Sequence, residues 1–232
     1  MANISTINGI AENNIASWNG TAASNIASLN SNTWVSVSGL SFASSQVITS
    51  SSTPFTFSDV DLGNTTAHKV VVGITHSATA AATGITVDGN ACALVKNQAA
   101  SGIFCELWEV NGITSATGNI VVTLGAASSR CSCGVWQVDG AADEYAEADS
   151  ASTPAAITGL TLPTGGVQIG IARSNLNVSW TWSGLGTEDF DAQVDDAFTG
   201  ASSLSANSLT DISATPSSSN LEVMAVASWA PA

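Results

Sequence analysis

The sequence predicts an all-β chain: an antiparallel two-sheet sandwich of jelly-roll type preceded by an extended repeat arm. Three observations lead there. Short stretches rich in β-branched and aromatic residues recur from Trp34 onward, many alternating apolar and polar with a period of two. Turn markers such as Asn-Gly, Asp-Gly and Pro separate them at intervals of about 8–12 residues. No window carries the periodicity of a long amphipathic helix, and no apolar run reaches the ~18 residues a membrane helix needs.

The arm spans residues 1–34. Residues 7–17 (INGIAENNIAS) and 18–28 (WNGTAASNIAS) are near copies, and LNSNTW begins a third. Each copy sets a short strand-like piece beside an Asn-Gly or Asn-Ser turn. One apolar residue per few polar ones buries little by itself, so such a unit must stack on its copies, on the body or on another molecule. The regular placing of Ile4, Ile7, Ile15, Trp18, Ile26, Leu29 and Trp34 marks these residues as anchors for attachment and assembly, because disordered leaders are poor in Ile and Trp.

The body, residues 35–232, reads as one sandwich. HKVVVGITH and GVWQV are apolar on both faces, as central strands covered from two sides would be. VDGNA carries Asp88-Gly89, a strong two-residue hairpin signal. Pro54, Pro154, Pro163 and Pro216 fall at strand starts or loops, where a missing N–H does no harm. Residues 140–152 (GAADEYAEADSAS) read as an exposed acidic loop, and DAQVDDAF as a single strand. The closing LEVMAVASWA is expected to pair centrally and pin the C-terminus into a sheet.

Charge removes several function classes. Four Lys and Arg stand against 18 Asp and Glu, for a net charge of −14. Phosphate binding needs a cluster of cations, so no nucleic-acid partner is expected, and no anionic membrane either. The chain opens without a basic segment followed by an apolar core, so synthesis in a host cytoplasm is the expectation.

Catalytic constellations are sparse, and a non-enzymatic protein is expected. His68 and His76 bracket one strand, about 26 Å apart at the strand rise, and read as surface residues at strand ends. Neither sits in a hydrolase or metalloprotease motif. Asp189, Asp191, Asp195 and Asp196 offer oxygen ligands that suit calcium, without the spacing of a helix-loop-helix calcium site; no other cofactor is implied. Carboxylate pairs are available, but the aromatic and Arg surround of a sugar-cleaving cleft is missing. Trp180 and Trp182, two apart in SWTWSG, share a strand face and are the candidate glycan contact.

Cysteine spacing does not suit zinc. If ACALV and IFCEL pair about NQAASG, Cys92 lies opposite Cys105, and a cross-strand disulfide is geometrically allowed. Cys131 and Cys133 share one face of a strand and are poorly placed to bond each other.

The leader, with its repeated apolar-Asn-Gly-x-Ala-x-x-Asn-Ile unit, resembles the N-terminal segments of virion structural proteins of tailed bacteriophages. The body is similar to theirs in texture, through HKVVVGITH, ITVDGNACALV, CELWEV, GNIVVTLGAASSRCSCGVWQVDGA, TEDFDAQVDDAF and VMAVASW. The resemblance implies a subunit of the virion exterior, either a capsid decoration (cement) protein or a tail or tail-fibre subunit. It carries no catalytic residues over. The partners it implies are capsid or tail subunits and further copies of the chain. A glycan-binding module that meets a host surface glycan is the reading from another class.

Overall fold

The computed structural model describes residues 37–194, 196–204, 210–218 and 221–232, with six dipeptide strands in the arm. Those six are β1 (Thr6–Ile7), β2 (Ile10–Ala11), β3 (Ser17–Trp18), β4 (Thr21–Ala22), β5 (Ser28–Leu29) and β6 (Asn32–Thr33). They pair as three antiparallel hairpins, with Ile7 opposite Ile10, Trp18 opposite Thr21 and Leu29 opposite Asn32. In sequence, Asn8-Gly9, Asn19-Gly20 and Asn30-Ser31 separate the paired strands, and these are residue types that two-residue hairpin loops favour. The eleven-residue sequence repeat is thus a hairpin repeat.

The antiparallel sandwich expected of the body is built twice. The first contains β7 (Gly39–Ile48), β8 (Phe55–Asp61), β9 (His68–Ser77), β10 (Ala82–Val87), β11 (Asn90–Ala91), β12 (Ala93–Ala100), β13 (Ile103–Ile113), β14 (Thr117–Leu124) and β15 (Cys131–Asp139). One sheet has the order β12-β13-β9-β15-β7, and the other β11-β10-β14-β8. With β11 and β12 taken as one strand bent between the sheets, this is the jelly-roll order: first, eighth, third and sixth strands in one sheet, second, seventh, fourth and fifth in the other. The core between the sheets holds Phe55, Phe57, Val60, Leu62, Val70, Val72, Ile74, Ile120 and Val122.

The second sandwich contains β16 (Glu147–Ser152), β17 (Ala156–Leu160), β18 (Val167–Ser174), β19 (Trp180–Ser183), β20 (Thr187–Val194), β21 (Asp196–Leu204), β22 (Thr210–Pro216) and β23 (Glu222–Trp229). Its sheets run β16-β23-β18-β21-β20 and β17-β22-β19. Strand for strand this repeats the first sandwich. The repeat reaches side-chain burial: Phe55, Phe57, Val60 and Leu62 are buried with exposed residues between them, and Ala155, Ile157, Leu160 and Leu162 follow the same rhythm. Asp59 and Gly159 take the same left-handed turn within it, at φ 53° and 71°. Gly accepts that φ without cost, and Asp tolerates it better than most residues.

The two five-stranded sheets stack face to face, giving four layers. Val71, Cys105, Leu107, Trp136 and Val138 from the first meet Val167, Ile169, Ile171, Val223, Ala225, Ala227 and Trp229 from the second. Met224 and Val226 turn the other way, into the second sandwich. Strands β9 and β23 are therefore buried on both faces, which is why they read as continuous apolar runs. Packing is reciprocal: β12 lies over β16, and β20 and β21 lie over β7. Among the described residues there is no helix, and so none long and apolar enough to cross a membrane.

Several sequence expectations change here. The hairpin joining β12 and β13 turns at Ser101-Gly102, with φ of 46° and 82°, so Ala100 pairs Ile103 and Cys105 faces Gln98. A two-residue turn needs positive φ at both centres, and Ser-Gly meets that need better than the middle of NQAASG. All four cysteines are free. Cys92 packs against the core of the first sandwich while Cys105 lies in the layer between sandwiches, so the proposed bridge would have to cross a sheet. Cys131 and Cys133 do share one face. The acidic loop contains β16, and DAQVDDAF is split between β20 and β21.

Candidate functional site

Polar side chains concentrate between the sandwiches. At one place Lys69 Nζ donates to Glu109 Oε2 (2.5 Å) and to the Asp143 carbonyl (2.9 Å). Trp229 Nε1 donates to the same Glu109 oxygen (2.6 Å), and the Lys69 ammonium lies 5.9 Å from the Trp229 ring centroid. All three side chains are buried. They join β9 and β13 of the first sandwich to the connecting segment and to β23 of the second. A second clamp links Arg173 of β18 to Ser77 Oγ and Asp196 Oδ2, both at 2.5 Å, with Arg130 on the same Asp196 oxygen at 3.0 Å. Burial lowers the Arg173 pKa, and the Asp196 charge opposes that.

Both histidines are buried rather than at the surface, because β9 is central and covered on both faces. His68 sets Nδ1 2.6 Å from the Thr66 carbonyl and Nε2 2.8 Å from the Leu62 carbonyl, and the tautomer decides which nitrogen donates. His76 Nε2 meets Glu106 Oε1 at 2.8 Å and stacks on Phe104 at 4.7 Å. Glu106 also accepts from Trp108 Nε1 and the Ala82 amide. Glu106 thus ties His76, Trp108 and Ala82 together inside a core, and His76 Nδ1 is buried with no hydrogen-bond partner among the described residues.

The acidic residues are similarly engaged. Asp189 Oδ2 accepts from Trp136 Nε1 (2.7 Å), and Asp191 Oδ2 from the Trp180 amide (3.1 Å). Asp196 belongs to the arginine clamp, and Asp195 lies outside the described residues. Among the described residues, no three His, Cys, Asp or Glu side chains are gathered as a metal site would need. The face that Trp180 and Trp182 share points into the second sandwich: Trp180 is buried, and Trp182 is half-buried with Nε1 donating to Thr199 Oγ1 (2.9 Å). An open platform would need both rings at the surface.

Of the proposed anchors, Ile7, Trp18 and Leu29 each end the first strand of their pair. Ile4, Ile15, Ile26 and Trp34 lie outside the described residues.

Sequence reasoning missed a cleft of about 310 Å³ where β7 meets β20 and β21, lined by Leu40, Phe42, Gly186, Asp189, Ser202, Ser203 and Leu204. Its lining comes from both sandwiches, so no single stretch of sequence contains it. Both edge strands bulge there. Ala43 is the extra residue on β7, and Asp189 the extra residue on β20. Bulges re-aim side chains and stop a strand from pairing further. Behind the cleft Phe42 stacks on Phe190 at 5.2 Å, and Trp136 closes the aromatic group at 5.9 Å from Phe42 and 5.8 Å from Phe190. Burial raises the Asp189 carboxyl above its ordinary range, although bonds from Trp136 and Ser202 pull the other way. No protein-family model matches the chain, and no curated protein matches it.

Proposed function

We propose that the protein is a non-enzymatic structural component of a tailed-phage virion, a capsid decoration protein that docks through its N-terminal arm. The observation that carries this reading is the arm's hairpin repeat. Three two-stranded units recur at one interval, each forming its own small sheet. An isolated two-stranded hairpin is marginal in water and becomes stable only against another surface. Exposed strand edges can also add to a neighbour's sheet, with main-chain hydrogen bonds supplying affinity. The body suits a high-copy rigid subunit, because its buried ionic groups tie layers together.

The test is deletion of residues 1–33, followed by sedimentation with particles and cryo-electron microscopy. The expected truncated chain folds, gives the sheet signature of the full chain, and no longer co-sediments. Regular density on the icosahedral shell, with arms reaching neighbouring subunits, supports the decoration role. Density confined to a tail or fibre moves the role there. A truncated chain that fails to fold would place the arm in the core and overturn the attachment reading.

A further inference from the structure

The structure assigns a binding site for a neutral sugar ring to the cleft where β7 meets β20 and β21. The lining has two halves that suit the two kinds of surface on a sugar. Leu40, Phe42 and the half-exposed Leu204 present apolar surface for the C–H face of a ring. Asp189 and the half-buried Ser203 present a carboxylate and a hydroxyl for ring hydroxyls, with the Gly186 backbone beside them, while the buried Ser202 hydroxyl holds Asp189. The volume is at the lower end for small-molecule sites, which fits one ring rather than an extended chain.

The arrangement is held in place from behind. Asp189 is the bulge residue of β20, and its Oδ2 is fixed by Trp136 Nε1 from the other sandwich. Phe42 stands beside the β7 bulge and is stacked on Phe190. Prefixed side chains reduce the ordering cost of binding. The opposite seam is the internal control. There β12 lies over β16, Ser150 Oγ donates to Gln98 Oε1 at 2.9 Å, and Lys96 approaches Asp149 at 3.9 Å. That seam is bridged by side chains, while its counterpart leaves room. With a net charge of −14 and a carboxylate in the wall, anionic ligands are repelled. The inference is independent of the arm's role, because every lining residue lies in the body.

The experiment titrates the nitrogen-labelled full chain with glucose, galactose, mannose and N-acetylglucosamine in turn, followed by NMR. The indole signal of Trp136 reports the site, because that N–H donates to Asp189. The expected result is a saturable shift of this signal with at least one sugar, while the Trp229 indole stays still. Asp189→Asn and Ser203→Ala weaken the affinity by about tenfold or more. Ser203→Ala changes one rim hydroxyl and guards against a folding defect in the first variant. No saturable shift with any of the four sugars overturns the site. So does an unchanged affinity in both variants. A shift produced by tetramethylammonium, with all four sugars silent, overturns the sugar class in favour of a cation bound on Phe42 and Asp189.

Discussion

At one seam between the stacked sandwiches, β12 of the first lies over β16 of the second; at the other, β20 and β21 of the second lie over β7 of the first. Duplicated topology makes the two places counterparts, since each sets the fifth strand of one jelly roll on the first strand of the other. Their side chains make them different. The β12 seam is bridged by Gln98 and Ser150 and sits near the Lys69–Glu109–Trp229 clamp that also joins β13 to β23. The β7 seam has a bulge on each strand, an aromatic group behind it and a cleft in front. Repetition of a fold therefore repeats the frame and leaves each seam free to take its own chemistry.

The largest expected effect lies on the bridged side. Glu109→Ala leaves the Lys69 ammonium and the Trp229 N–H buried without their shared acceptor. Removing one partner of a buried ion pair costs about 3–5 kcal/mol, which urea unfolding should register as a lower midpoint. A cost within experimental error would mean that the clamp does not hold the sandwiches together.

On the open side the aromatic group depends on missing side chains. A Cβ on Gly200 would sit 2.5 Å from Phe190 and 2.7 Å from Trp136, and one on Gly134 would sit 2.7 Å from Phe190. Gly200→Ala should cost about 1–3 kcal/mol through overpacking. Adding Phe190→Leu should recover part of that loss in the same urea measurement. No recovery in the double variant would show that the slot is not shaped around Phe190.

Ser150→Ala removes only a half-buried hydroxyl bridge at the β12 seam and should cost no more than about 1 kcal/mol. A larger loss would mean that the bridge, rather than the buried clamp, holds that side.

The smallest expected effect is a slope with pH. The folded state holds the Asp189 proton more tightly than the unfolded chain does, because burial raises its pKa. Between the unfolded and folded pKa values the native state binds more protons, so stability falls as pH rises through that interval. The stability of the parent chain minus that of Asp189→Asn should therefore decline as pH climbs upward from the ordinary carboxylate range. A difference that rises instead would place Asp189 in an environment that favours its charge.

The strands that hold the fold were the most legible part. HKVVVGITH and LEVMAVASWA announced central positions by being apolar on both faces, and residues 68–76 of β9 and all of β23 are buried. Asp88-Gly89 marked its hairpin, and Val87 does pair with Asn90 across it. Less legible were places where two local readings compete. Ser101-Gly102 displaced the turn that would have set Cys92 against Cys105. Trp180 and Trp182 share a face as period-two spacing requires, but spacing does not say whether that face looks at water or at a second sheet. The engagement of Asp189 and Asp196 was not legible because their partners, Trp136, Arg130 and Arg173, are distant in sequence.

By itself the sequence determined the all-β class, the main central strands, the marked turns and the hairpin repeat of the arm, because each depends on neighbours a few residues apart. Only the tertiary structure decided that the sandwich occurs twice, that the two stack through their larger sheets, and that Leu40, Phe42 and Asp189 border one cleft. Those outcomes depend on which apolar face meets which. A strand with two apolar faces specifies that both must be covered and is silent about what covers them.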